Sequence, residues 1–544
     1  MMQNTATPES KAGQSFGLDA AMISTIDWNL ALKRILHDVR SDFIYAPHLS
    51  FIYRKAGAAL IALLKKELKA GTFNASVPLT IEVPKSYRMR VVAPAKRLGP
   101  SFSRPGSILL PHDRLLYQAL ADYAAPIVNA QTDHKRSFSH RLAGEKSASM
   151  FLPTRSCWNA LQNALAAHSK SKHVRYILKL DIANYFGSLN QHTLINVLGD
   201  SGYPKSLSSR LELLLTGYTG ADRSSRGILQ GLYPSDLFGN FYLSPVDRLL
   251  KDFDIPSARY VDDLYIFVRT VAEADKLLRE LTPVLRSYDL ILNEAKSVVI
   301  PKSALLTEEP DLEALFESAV EEVSTQVDDE DFDADYGFQS EWEEEESEDD
   351  ENLELKATAV LFDSISEYPG HEENIERFCL PLFAKAGSDH AIEHVMESFK
   401  KRPSMAQIYS AYLAKFIDSS TARNFLLKLL DDSTLLDWQK IWVLAALLQV
   451  ERADDDAVKV ALNLLKDATR HDALRAAAAI YVGRFGDHVR RKALITIYPS
   501  VSNYVQAAIY YSSKSWPRVE KSNARAGWRG HGLIHSLLTT ALQG

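Results

Sequence analysis

Hydrophobic positions keep helical period in some stretches of the chain and strand period in others. From Asp27 to Leu68 they recur at three-and-four spacing, as Trp28, Leu32, Ile35 and Leu36 and then Leu60, Ile61, Leu63 and Leu64, which predicts helix. The aromatics between them (Phe43, Tyr45, Phe51, Tyr53) read as core packing, with base stacking on a basic surface as the alternative. Val77 to Gln118 alternates short β-prone runs with a basic loop and enters a helix at Pro111. Asp113 falls in that helix's first turn, the end its dipole offers to a carboxylate. Val174 to Leu180 is an apolar run of strand length ending at Asp181, and Ser257 to Val268 reads as strand, tight turn, strand. Val271 to Tyr288 has the period of an amphipathic helix.

From Ala357 the pattern is helical almost throughout. Leu429-Leu430-Asp431-Asp432-Ser433-Thr434 recurs 35 residues on as Leu464-Leu465-Lys466-Asp467-Ala468-Thr469, and Asp437 and Lys440 recur as Asp472 and Arg475. That period predicts antiparallel helix pairs stacked as a HEAT-like solenoid. The chain is therefore expected to be α+β in four parts: a helical lead over 1–70, a mixed region over 71–303, a linker over 304–356 and an all-α repeat region over 357–544.

Composition changes this picture in two places. The chain of 544 residues, 46% apolar and 24% charged, suits a soluble protein of several domains. No apolar run approaches the ~18 residues needed to span a bilayer. Polar Met1 to Gly17 reads as a disordered lead rather than a signal peptide, and Cys157 and Cys379 are too few for a disulfide framework. A cytoplasmic protein with no membrane partner is expected. The net charge of −7 hides a strong asymmetry, because 23 acidic residues and no Lys or Arg lie between Glu308 and Glu354. Elsewhere 62 basic residues face 46 acidic ones. A basic body with one acidic, low-complexity strip suits a nucleic-acid binder, and equally a chain kept soluble by charge blocks. The C-terminal cations Lys514, Arg518, Lys521, Arg525 and Arg529 suit single-stranded nucleic acid or another subunit.

The candidate chemistry centres on Asp262 and Asp263. Two adjacent carboxylates between apolar strands repel each other and are costly to bury, so they invite a hard divalent cation with oxygen ligands. The plain alternative is a hairpin whose turn is Asp-Asp. Upstream, Asp181 ends its own strand and is followed by Ile182-Ala183-Asn184-Tyr185-Phe186. Between the two lies Gly227-Ile228-Leu229-Gln230-Gly231-Leu232-Tyr233-Pro234-Ser235, a glycine-rich turn opening a helix. On the basic hairpin, Lys85 and Arg90 could neutralise a triphosphate or merely guard a strand edge.

These blocks, in this order, resemble those of reverse transcriptases: a strand-end Asp181, the Gln230-Gly231 turn, Tyr260-Val261-Asp262-Asp263 as the YxDD signature, and Leu290 to Ser297 with Lys296. Over about Leu79 to Lys302, with a helical-repeat tail, the chain looks like bacterial defence reverse transcriptases of the abortive-infection and unknown-group class. It departs from group II intron enzymes at Leu229 and Leu232-Tyr233-Pro234. The resemblance implies a right-hand fingers and palm, with Asp181, Asp262 and Asp263 catalytic and, with the Ile182 carbonyl, ligating two Mg²⁺ ions, Mn²⁺ being a substitute. It implies dNTP and template contacts at Phe186, Gln230, Gly231 and Lys296, with the Phe186 ring filling the space of a ribose 2′-OH. It further implies antiphage defence, RNA or single-stranded DNA as partners, a homo-oligomer and, in some members, priming from a protein hydroxyl. For the last, Tyr504, Tyr510 and Tyr511, or Tyr45 and Tyr53, are candidates, a phenol ionising near pKa ~10. A templated retron or group II intron enzyme and a catalytically dead palm serving as a scaffold are the alternatives.

Overall fold

The computed structural model describes residues 16–89, 91, 99–220, 224–305, 351–528 and 532–543. Arg90, Arg529 and residues 306–350 of the acidic stretch lie outside the described residues.

Helices α1 (Ala20–Thr25) and α2 (Trp28–Asp38) each begin at an aspartate, Asp19 and Asp27, whose side chain accepts a backbone N–H of the first turn. With α3 (Pro47–Ala70) they bury Trp28, Ile35, Ile52, Leu60 and Leu64 in one large core shared with α4 (Pro111–Gln131). Between α3 and α4 runs an antiparallel ribbon, β1 (Leu79–Arg88) and β2 (Ser101–Ile108). Its ladder holds from Leu79↔Ile108 to Pro84↔Ser103 and then shifts before Arg88 pairs with Ser101, so that Lys85, Ser86 and Tyr87 stand opposite Phe102 alone.

Next come α5 (Thr154–Ser169), β3 (Tyr176–Leu180), the short α6 (Tyr185–Ser188), α7 (Gln191–Asp200), α8 (Lys205–Tyr218), α9 (Tyr233–Tyr242), α10 (Ser244–Asp252), β4 (Ser257–Tyr260), β5 (Asp263–Val268), α11 (Val271–Ser287) and β6 (Val298–Pro301). The four strands form an antiparallel sheet in the order β4-β5-β3-β6. Strand period divides its side chains cleanly. Leu178, Leu180, Leu264, Ile266 and Val268 enter the main core, while Ile177, Tyr265, Phe267 and Ile300 join Leu161 and Leu165 of α5 on the other face. Because β3 and β5 are apolar on both sides, they occupy the middle of the sheet.

Beyond the acidic stretch the described chain is helical. Helices Ser420–Asp431 and Asp437–Leu447 are followed, 35 residues on, by Asp455–Lys466 and Asp472–Phe485. The sequence repeat has a local cause. Asp432 accepts the N–H and hydroxyl of Thr434, and Asp467 does the same for Thr469. Lys440 and Arg475 then reach back to the carbonyls of Leu430 and Leu465, at 2.8 and 3.1 Å, closing the end of the preceding helix. This helical region folds onto the front of the molecule. Trp438 donates to the Phe43 carbonyl at 2.8 Å, the His471 ring nitrogen lies 2.8 Å from the Thr80 carbonyl, and Phe51 of α3 meets the Tyr511 ring edge-on. The last described helix, Leu533–Gln543, packs along α3. Among the described residues no helix is long and apolar enough to cross a membrane.

Candidate active site

Three local devices bring the carboxylates to one end of the sheet. The register Leu180↔Leu264 leaves Asp181 one step past the end of β3, level with Asp263 at the start of β5. Asn293 donates its backbone N–H to the Asp181 carbonyl at 2.8 Å, and Ile182 bridges Leu292, so the chain leaving β3 is tied to the segment that carries Lys296. Tyr260↔Asp263 closes β4 onto β5, which makes Val261-Asp262 a two-residue turn.

That turn is strained. Val261 has φ 51°, in the left-handed region that β-branched residues avoid at a cost of about 1–2 kcal/mol. It persists because both of its peptide groups are held. The Val261 N–H donates to Ser139 Oγ at 2.8 Å, and Arg259 donates to the Val261 carbonyl at 3.1 Å. Arg259 is fully buried and also binds Asp247 through Nε and Nη2 at 2.8–2.9 Å and Asn240 through its side-chain and backbone oxygens at 2.6 and 2.8 Å. Ser137 and Ser139 donate to the same Asn240 oxygen. A closed polar network therefore lies directly under the carboxylate turn.

Asp262 is half-buried, and its carboxyl is pushed up to about 7, first by desolvation, then by the charge of Asp263, with a further push from Asp181. Lys296 Nζ lies 3.3 Å from Asp181 Oδ1 and 5.6 Å from the centre of the Tyr87 ring. The Lys85 ammonium feels both Asp181 and Asp262; burial lowers its proton affinity first, and Arg104 and Lys296 lower it further. Among the described residues no three His, Cys, Asp or Glu side chains stand as a ready-made metal cage. The donor set nevertheless fits divalent cations. Three carboxylates gather at one strand end, one of them is driven towards its protonated form by burial and then by the others, and a lysine ammonium lies 3.3 Å from Asp181.

The glycine-rich turn is tied to the chain that leaves β3 after Asp181, Gly227 donating its N–H to the Leu189 carbonyl at 2.8 Å. Gly231 has φ +80°, and a Cβ there would come within 2.4 Å of the Phe43 ring, so neither its conformation nor its neighbour admits a side chain. Gln230 precedes it, half-buried, at the mouth of α9. Phe186, on α6, packs its ring against Gly239, where a Cβ would fall 2.7 Å from it. The Phe186 carbonyl accepts the Ile228 N–H at 2.9 Å, which ties the ring to the same turn.

Of the residues singled out from the sequence, the structure brings Asp181, Asp262, Asp263, Lys85 and Lys296 into mutual electrostatic reach. Tyr504, Tyr510 and Tyr511 are elsewhere. All three are buried: Tyr504 meets His48 and Tyr511 meets Phe51 where the helical region contacts α3, and Tyr510 packs inside that region against Trp528 and His535 with its hydroxyl 3.0 Å from Thr539 Oγ1. Tyr45 and Tyr53 are also packed in, and burial pushes both phenols well above their ordinary range. Arg259, Asp247 and Ser139 carry no motif of their own. Only their charge and polarity inside apolar surroundings could have marked them.

An antiparallel sheet that gathers carboxylates at a strand end and at a hairpin turn, roofed by a basic ribbon, is the palm and fingers of a polymerase. Residues 104–307 match the family model for reverse transcriptase (RNA-dependent DNA polymerase). That part of the chain, well under half of it, is thus similar to reverse transcriptase domains, a family of RNA-directed DNA polymerases. No curated protein matches the chain. Similar solved structures include telomerase from Candida albicans in complex with a TWJ fragment of telomeric RNA, at 10% identity and TM-score 0.30, over 71% of this chain and 66% of that one. Apo telomerase from Candida tropicalis is another, at 9% identity and TM-score 0.31, over 86% and 69%. The chain spans just under two thirds of the first of these.

Proposed function

We propose that the chain makes DNA from dNTPs at Asp181, Asp262 and Asp263. The observation that carries this reading is the strained, doubly anchored turn that presents Asp262 beside Asp181, within reach of Lys296 and Lys85. Two divalent cations, Mg²⁺ or Mn²⁺, held by the three carboxylates and the Ile182 carbonyl would activate the attacking hydroxyl and neutralise the leaving pyrophosphate. In this reading Lys85 binds the triphosphate. Lys296, 3.3 Å from Asp181, would stabilise the pyrophosphate as its charge develops. Phe186 excludes the ribose 2′-OH, and Gln230 and Gly231 accommodate the base pair.

The expectation of antiphage defence rests on the sequence blocks from Leu79 to Lys302 joined to a HEAT-like repeat tail. RNA or single-stranded DNA as template and a homo-oligomeric state belong to the same expectation. Priming from Tyr504 or Tyr511 would require the helical region to come away from α3, and priming from Tyr510 would require it to leave its packing against Trp528 and His535. Incubation of the purified chain with dNTPs, Mg²⁺ and an RNA template tests the core of the proposal. Labelled DNA should form with the wild type and be abolished in a folded Asp262→Asn variant. Undiminished synthesis by that variant would refute the assignment. Product that stays with the protein after phenol extraction and is released by protease would place the primer on the chain itself.

A further inference from the structure

The ribbon β1–β2 has two faces, and they are engaged by different halves of the molecule. A two-stranded ribbon is marginal on its own, and here the ladder is interrupted where it comes closest to the carboxylates. Lys85, Ser86 and Tyr87 face the single residue Phe102, on which the Tyr87 ring stacks, so no ladder pairing fixes Lys85 and Ser86. Alternate side chains take opposite directions. Lys85 and Tyr87 turn to the palm, where Lys85 senses Asp181 and Asp262 and the Tyr87 ring lies under the Lys296 ammonium, itself 3.3 Å from Asp181. Ser86 and Arg88 turn to the helical region. Ser86 Oγ donates to Glu373 Oε2 at 2.5 Å, and Arg88 Nη2 donates to the Lys401 carbonyl.

Glu373 is itself held. Ser404 Oγ lies 2.9 and 2.8 Å from its two oxygens, and the Arg377 guanidinium lies 3.9 Å away on the same helix, Glu372–Lys385. The carboxylate is mostly buried, with its side chain 14% exposed, and it accepts from a serine in the unpaired segment of β1. A charge-assisted bond of this kind is directional and stiff compared with an exposed neutral one.

We propose that the helical region is the backstop of the nucleotide site: Glu373, through Ser86, and the Lys401 carbonyl, through Arg88, fix the unpaired segment of β1 so that Lys85 and Tyr87 face the carboxylates. Glu373 is then a positioning residue for binding the triphosphate of an incoming nucleotide, some distance in sequence from the reverse transcriptase domain it serves. This rests on the reading of Asp181, Asp262 and Lys85 given above.

The test is steady-state dNTP incorporation by the full chain, with kcat and KM separated. Glu373→Ala should raise KM for dNTP about tenfold while changing kcat by less than about threefold. Ser86→Ala, at an exposed position that leaves the fold intact, should act in the same direction, and the double variant should be no worse than Glu373→Ala alone, because both remove one contact. Adding Glu373→Ala to Lys85→Ala should likewise have little further effect on KM. Glu373→Gln keeps an oxygen for Ser86 and should recover most of the affinity. A role in stability alone would lower the melting temperature and kcat and leave KM unmoved, which would overturn the proposal, as would fully additive effects of Glu373→Ala and Ser86→Ala. If Asp262→Asn is inactive while Glu373→Ala has wild-type KM, the backstop fails and the site stands. If Asp262→Asn is active, both fail.

Discussion

Replacing Arg259 by methionine keeps most of its apolar stem and deletes the guanidinium. In the folded protein this leaves the Asp247 carboxylate buried, its side chain 4% exposed, and facing the space where three N–H···O contacts had been. Breaking a buried pair from one side costs about 3–5 kcal/mol, a large share of the ~5–15 kcal/mol that holds a typical domain. Removing both partners together, as Arg259→Met with Asp247→Leu, replaces the pair by apolar groups and should return most of that loss. Activity should not return with it. In either variant the Val261 and Asn240 backbone carbonyls lose the Arg259 donor, while the Asn240 side-chain oxygen keeps only Ser137 and Ser139. The ~1–2 kcal/mol of strain at Val261 is then opposed mainly by the single bond to Ser139. A turn that relaxes by about 1 Å moves Asp262 enough to cost roughly 10²-fold in rate. Thermal unfolding and dNTP incorporation, measured side by side, separate the two effects: the single variant unstable and inactive, the double variant stable and slow. A double variant with wild-type turnover would show that the network serves stability only, and a single variant that loses less than about 1 kcal/mol would show that Arg259 does not hold Asp247 as described.

Two further outcomes are expected. Phe186→Ala should admit ribonucleotides, because the ring packed on Gly239 no longer fills the sugar's 2′ side; an unchanged preference for dNTPs over NTPs in competition assays would place the gate elsewhere. His112 and Asp113, 3.5 Å apart, are displaced in opposite senses by burial, Asp113 up to about 7 and His112 down to about 4 from an ordinary 6.5. Between pH 4 and 6.5 the pair holds one proton whether folded, on Asp113, or unfolded, on His112, so it adds no pH dependence to stability there. In Asp113→Asn the unfolded histidine binds more protons than the folded one, and stability should fall by up to about 3 kcal/mol as pH drops from 6.5 to 4, read from denaturant unfolding; a flat profile would refute the assignment.

The sheet was legible because its residues advertise themselves locally. β3 and β5 are apolar runs of strand length, the Asp-Asp turn sits between two of them, and the 35-residue repeat is written in the Asp432 and Asp467 turns and in the cations that close the helices before them. The network under the turn was not legible, because Arg259, Asp247 and Asn240 meet through tertiary packing and no spacing rule links them. In the sequence the basic hairpin reads as cations that neutralise a triphosphate or guard a strand edge, with nothing to tell its two faces apart. The ladder shift between Pro84 and Arg88 instead divides its side chains between the palm and the helical region, and a register shift leaves no mark in residue type. Asp113 was placed correctly in the first turn of α4. Its burial beside His112 depends on the chain at Asn74 to Ser76 crossing over it, which helix-end preferences do not reveal.

The contact of Trp438 with Phe43 joins residues 395 positions apart, and that of His471 with Thr80 joins residues 391 apart. During synthesis the reverse transcriptase domain emerges long before the helices that brace its ribbon. At ~5–20 residues per second, the interval between completing β2 and completing the helix at Asp472–Phe485 is about twenty seconds to a little over a minute. For that time the Phe43 ring that closes on Gly231 lacks the partner of its own carbonyl, and the bulged segment of β1 lacks Glu373. The nascent chain thus holds its ribbon loosely on the ribosome, and the contacts that brace β1 are complete only when the far half of the chain arrives.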